Sequence, residues 1–230
     1  MPGSSAASPS AAEDACASPD LAVWSGGLSR PCEGRIIRLA GKEIEMAFFD
    51  VPKLEDVSPE ARRWFEELGR LRGVESFPPS WMSYARSPRI LEARVKSETN
   101  LLAQSGPGGK SGFSWEARMI GFMLIAHARR CQGCFGSSRR LLSTLGFDES
   151  TLDGFCANPS DLPLSERDRL FVRYVLKIAI SPADLRPKDF REMEAHGLSR
   201  EDVQEIIGCA AFSVFNTIFT TAANTALSDE

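Results

Sequence analysis

Two cysteines three positions apart, in Cys131-Gln132-Gly133-Cys134, are the residues of this 230-residue chain best suited to chemistry. On a helix that spacing puts both sulfurs on one face, so a disulfide between them opens and closes without moving the backbone. If the pair opens a helix, the free first-turn amides and the positive end of the dipole favour thiolate over thiol. Arg129, Arg130, Arg139 and Arg140 add positive potential around it. A C-x2-C pair in a reducing compartment is more often redox-active or metal-binding than structural, and two inert buried cysteines are the plainer alternative.

Three further groups bear on that pair. His127 lies four residues before Cys131, one helical turn if the helix continues or turns tightly at Arg130, and imidazole titrates near neutral pH. The plainer role for His127 is a satisfied histidine in an apolar helix. Glu116 lies eleven residues before His127, on the same helix face but about 16 Å away along the axis. The two carry chemistry together only through something between them. His127 with Cys131 and Cys134 also spells H-x3-C-x2-C, three ligands that would suit zinc or copper with a fourth position open. His196, at a helix end before Gly197, reads as a charge on the dipole rather than a site residue. Gly109-Lys110-Ser111 ends like a phosphate-binding loop, but position 104 is Gln104 where that motif needs glycine, and the preceding segment reads as helix where it needs a strand.

The elements that must hold these residues read as helical. Ser58-Pro59-Glu60 opens a helix over about 59–72, with Trp64, Leu68 and Leu71 recurring at three and four residues. Pro78-Pro79-Ser80 opens a short helix with Trp81 and Tyr84, and Ser87-Pro88 another carrying Ile90, Leu91 and Val95 towards Leu102. Ser114 caps an apolar helix over about 115–129, and the C-x2-C pair starts the next, ending near Gly146. Ser165 to Asp168 and Ser199 to Asp202 are S-x-x-D capping boxes for helices over about 166–180 and 200–226, with a shorter helix over about 187–195 between them. No stretch alternates convincingly with period two, which predicts an all-α fold. The helix over 200–226 is apolar on nearly every face and is expected in a deep core or a subunit interface.

Outside this body, residues 1–30 are rich in Ser, Ala, Pro and Gly and read as a flexible tail. Residues 31–56 read as an extended or short helical lead segment, 57–227 as the helical domain, with a Gly/Pro joint near 105–112. Twenty-seven basic against 31 acidic residues, with no block of like charge, argues against a nucleic-acid partner. No apolar run free of polar residues reaches the roughly 18 that read as a membrane span; Met119 to Ala128 comes nearest, and it contains His127. Six cysteines are too sparse for a disulfide scaffold, and the start lacks the pattern of a secretory leader, so the expected setting is a reducing cytoplasm.

The order of these segments resembles the AhpD-like superfamily of alkylhydroperoxidases and carboxymuconolactone decarboxylases, its peroxidase-related branch above all. The resemblance runs over about 57–227: SPEARRWFEEL, the opening at Ser87-Pro88-Arg89-Ile90-Leu91, WEARMIGFMLIAHARRCQGCFGSSRR, LSERDRL, GLSREDV and the FN of Phe215-Asn216. It implies an all-helical homo-oligomer whose two cysteines reduce a hydroperoxide while a glutamate and a histidine relay protons. The family pattern is E-x11-C-x2-C-x3-H. Cys131 and Cys134 match it, with the second sulfur meeting peroxide and the first resolving the disulfide. The glutamate position falls on Met119 and the histidine position on Ser138, which leaves a displaced relay of Glu116, His127 and Ser138 as the expected substitute. The expected function is thus thiol-disulfide exchange against a hydroperoxide or other small electrophile, with a thiol or redox protein as electron donor and no cofactor. The alternative is a homologue without catalysis that binds or assembles.

Overall fold

The computed structural model describes residues 37–39, 42–44, 51–101 and 112–226. The expected tail, most of the lead segment, nearly all of the Gly/Pro joint, and Cys16 and Cys32 lie outside them. The body is all-α, as its periodicity predicts. A small departure lies in the lead segment, where β1 (Ile37–Leu39) and β2 (Lys42–Ile44) pair antiparallel with Ile37 opposite Ile44.

Helices α1 (Pro59–Arg72), α2 (Pro79–Met82) and α3 (Pro88–Leu101) form the leading layer. Ser58 caps α1 by accepting from the Ala61 amide, and a 3-10 turn over Ser83–Arg86 extends α2. Their shared core is Phe65, Leu68, Leu91, Val95 and Tyr84. The main body follows: α4 (Trp115–Ala128), α5 (Gln132–Thr144), α6 (Glu149–Ala157), α7 (Glu166–Ile180), α8 (Pro187–Ala195) and α9 (Arg200–Ala226). Helix α4 is its axis. Residues 117 to 126 are all buried, and the helix packs on α5, α7 and α9. Gly121 lets α7 approach, since a Cβ there would stand 3.0 Å from Val175 Cγ1.

Both S-x-x-D boxes form: the Asp168 amide donates to Ser165 Oγ and the Asp202 amide to Ser199 Oγ. Asp168 also accepts from the Ser114 amide at 2.9 Å, which ties the start of α7 to the cap of α4. Helix α6 has no counterpart in the sequence reading. Asp148 caps it by accepting from the Thr151 amide at 2.7 Å, but only Leu152 and Phe155 bury, too few to mark a helical period.

Helix α9 meets the deep-core expectation, with Ile206, Cys209, Ala210, Phe212, Asn216, Thr217 and Thr220 buried. It lies across both layers, touching α3 and α4, and Phe215 packs against both cores. Ile207 and Ile218 on it remain exposed. The membrane reading needs correcting on this helix: Arg200–Asn224, not Met119 to Ala128, is the stretch long and apolar enough by length and composition to cross a membrane. Half of its most apolar window is buried inside the fold.

Helix α4 ends in a tight reversal that sets up the cysteines. The Cys131 amide donates to Ala126 O and the Arg130 amide to His127 O, the paired bonds of a Schellman motif. Its left-handed position, φ +56°, holds Arg130 where glycine is the usual occupant. Arg130→Gly is therefore expected to raise stability by about 0.5–1 kcal/mol, read as a rise of about 1–4 °C in thermal midpoint. An unchanged or lower midpoint would show that the strain at this turn is already offset by the arginine side chain.

Candidate active site

Because of that reversal Cys131 becomes the N-cap of α5, and Cys134 sits one turn in. Both are buried free thiols, and they line two different openings. Cys131 lines a shallow groove with His127, Arg130, Gln132 and Phe135. Cys134 lines a cavity of about 270 Å³ between the two layers, which Trp81 and Arg94 also line. Gly133 stands between the sulfurs because α9 passes close: a Cβ there would lie 3.2 Å from Asn224 Nδ2 and 3.4 Å from Thr220 Cγ2.

The two thiols are electrostatically unlike. Hydrogen bonding from the Cys134 thiol, aided by the Cys134 amide, the Thr221 hydroxyl and the Arg129 charge, lowers the Cys131 pKa to about 6 against the cost of burial. Arg129 is held in place by α9, donating from Nε to Thr217 Oγ1 at 2.9 Å. Cys134 is pushed the other way, by sharing its proton with Cys131 and by burial, while the Thr220 hydroxyl and the Arg94 charge pull it partly back. The surroundings therefore favour thiolate at Cys131 and thiol at Cys134.

The other residues singled out in the sequence fall at different distances from this chemistry. Ser138 is buried in the cavity wall and donates to Cys134 O at 2.9 Å. His127 is exposed at the groove, its ring 5.2 Å from that of Phe135, so it reaches the Cys131 side of the pair. Glu116 is in the first turn of α4, the end away from the cysteines, and lines neither opening. The structure thus gathers Cys131, Cys134 and Ser138, adds His127 at the rim, and leaves Glu116 apart. Met119, at the glutamate position, is 1% exposed in the main core. The metal alternative finds no support, since among the described residues no three His, Cys, Asp or Glu side chains are placed to share an ion. His196 caps α8 and faces Glu166, Nδ1 to Oε1 3.1 Å, away from the cysteines.

The far wall of the cavity contains charged groups that sequence reasoning passed over. Arg94 and Glu98 on α3 are almost fully buried and 3.1 Å apart, Nη1 to Oε2, and Arg72 of α1 pairs with the other Glu98 oxygen. Burial pushes the Glu98 carboxyl up, but the Arg72 and Arg94 charges hold it below its ordinary value. Arg94 lies over Trp81, 4.5 Å from guanidinium carbon to ring centroid, and 5.4 Å from that of Tyr84. Tyr84 in turn stacks on Phe219 of α9. The signal was present: residues 91, 94, 95 and 98 form one helical stripe, with Arg94 and Glu98 at positions where Leu91 and Val95 are core.

No protein-family model matches the sequence, and no curated protein does. Solved structures do. The chain resembles the crystal structure of an alkylhydroperoxidase AhpD core, an uncharacterized peroxidase-related protein from Ralstonia eutropha JMP134, at a TM-score of 0.63 and 16% identity, over 80% of this chain and 98% of that one. The fold is AhpD-like. A second AhpD-like neighbour, an uncharacterized peroxidase-related protein from Silicibacter sp. TM1040, matches at a TM-score of 0.63 and 19% identity over 86% of this chain and 94% of that one.

Proposed function

We propose that this AhpD-like chain is a dithiol hydroperoxide reductase in which the cysteine pair manages its own proton. The observation that carries the reading is the unequal pair: a Cys131 whose surroundings favour thiolate, hydrogen-bonded to a thiol at Cys134 that faces the cavity. Cys131 then takes the Cys134 proton as Cys134 Sγ attacks the terminal peroxide oxygen. The O–O bond breaks, Cys134 becomes a sulfenic acid, and the leaving alkoxide takes the proton back from Cys131 as alcohol. The restored Cys131 thiolate attacks the sulfenic sulfur, forming the disulfide and expelling hydroxide. Two electrons pass from the two sulfurs to one peroxide, and a small dithiol restores both thiols. This use of Cys131 as base supplies what the Met119 and Ser138 positions do not, at the scale of roughly 10²–10⁴ that general-base catalysis contributes.

His127 serves the reducing half, at the groove through which a dithiol approaches Cys131, where it accepts the incoming thiol's proton. The names of the structural neighbours, both peroxidase-related, agree with this chemistry in general class. The test is mass spectrometry of the alkylated protein after one equivalent of cumene hydroperoxide. A Cys131–Cys134 disulfide that forms, and that dithiothreitol reverses, is the expected result. Two alkylatable thiols in the folded protein after oxidant would leave the chain a binding or assembly protein instead.

A further inference from the structure

We propose that the cavity above Cys134 selects an anionic substrate, a small organic hydroperoxide bearing a carboxylate that Arg94 and its neighbours hold; this rests on the dithiol reading above. Three guanidinium groups, Arg72, Arg94 and Arg140, line that cavity, and no Asp or Glu does. The one carboxylate behind the wall, Glu98, offsets a single charge. Even with a thiolate in the cysteine pair, positive charge is left over.

Arg94 is the group that points to a ligand. It is 3% exposed, its Nη1 faces Glu98 Oε2 at 3.1 Å, and the residue lines the cavity. A guanidinium carries five N–H donors, more than the single carboxylate behind the wall accepts, so a second acceptor is favoured where the group is buried. A carboxylate is the acceptor whose two oxygens match a guanidinium edge. Trp81 fixes the guanidinium plane and Glu98 its tether, so the donor is positioned before the anion arrives. The volume of about 270 Å³ lies just under the roughly 300–1,000 Å³ of sites for drug-sized ligands, which sets the ligand as small. Cys134 of α5 and Arg94 of α3 both line it, so an anion on the guanidinium is held in the same cavity as the sulfur.

The experiment has two arms. In the first, the kcat/KM of the full-length protein is measured for cumene hydroperoxide and for the same compound with a para-carboxylate, with dithiothreitol as reductant. The carboxylate is expected to be preferred at least about tenfold, the scale of one charge-assisted bond pair. Arg94→Gln should bring the ratio near one, and Arg140→Glu, at an exposed position that serves if Arg94→Gln does not fold, should lower it severalfold. In the second arm, benzoate is titrated into Cys134→Ser, which cannot complete the redox cycle. Saturable heat that Arg140→Glu weakens and rising salt reduces is expected. Binding of benzoate with neither hydroperoxide consumed would keep the anion site and overturn the redox reading. Equal rates for both hydroperoxides, with no benzoate binding, would overturn the anion site and keep the redox reading.

Discussion

Replacing Cys134 by alanine is expected to cut hydroperoxide turnover by at least roughly 10³-fold, because the attacking sulfur is gone and no other cysteine lines the cavity. Cys131→Ala should fall nearly as far but stop elsewhere, with the sulfenic acid that forms slowly on Cys134 without its base left unresolved and open to dimedone. The same variants report on the shared proton. Thiolate is the form that alkylates, so labelling of Cys131 in the parent protein should rise with pH to a midpoint near 6. In Cys134→Ala the hydrogen-bonding thiol is lost, and the midpoint should move up towards the ordinary thiol value of about 8.5. Half the parental turnover in Cys134→Ala would mean that Cys134 is not the sulfur that meets the peroxide.

The largest effect on stability is expected at Arg118. It is 1% exposed at the end of the first turn of the apolar α4, where it donates to Leu101 O, approaches Cys209 Sγ at 3.1 Å and pairs with Glu205. It thereby clamps the end of α3 and the first half of α9 to the central helix. Arg118→Ala removes the cation and leaves a carboxylate and a carbonyl facing the gap, a class of change that costs about 3–5 kcal/mol. The thermal midpoint should fall by about 6–20 °C in a chain of this size. Arg118→Met combined with Glu205→Leu should recover much of the loss, since apolar replacement of a whole buried pair is often neutral. A loss under about 1 kcal/mol in the single variant would show that water takes the place of the guanidinium.

Much of the frame is legible in the sequence because its signals are local. Ser58, Ser114, Ser165 and Ser199 each precede a helix that forms, and the bonds that make them caps span three residues. The C-x2-C pair at a helix start is legible for the same reason. What the sequence hides is made by distant partners. Arg94 and Glu98 spell an ordinary surface ion pair one turn apart, and only the packing of α1 and α9 over α3 buries them. The lowered pKa of Cys131 draws on Thr221 and Arg129, and Arg129 is itself set by Thr217, 88 residues away. Glu116 fails in the opposite sense: periodicity puts it on a helix face with His127, but a shared face does not shorten the helix.

The two layers divide the labour in a way that bears on how such a protein changes over time. The sulfurs come from the start of α5 and the threonine hydroxyls beside them from α9, whereas Arg72, Trp81 and Arg94, the charged and aromatic part of the cavity lining, come from α1, α2 and α3. Drift in the leading layer can therefore alter what is admitted without touching the bond-making atoms. A lineage on this scaffold is free to trade one clientele for another at the cost of a few side chains, while its reactive chemistry stays the same.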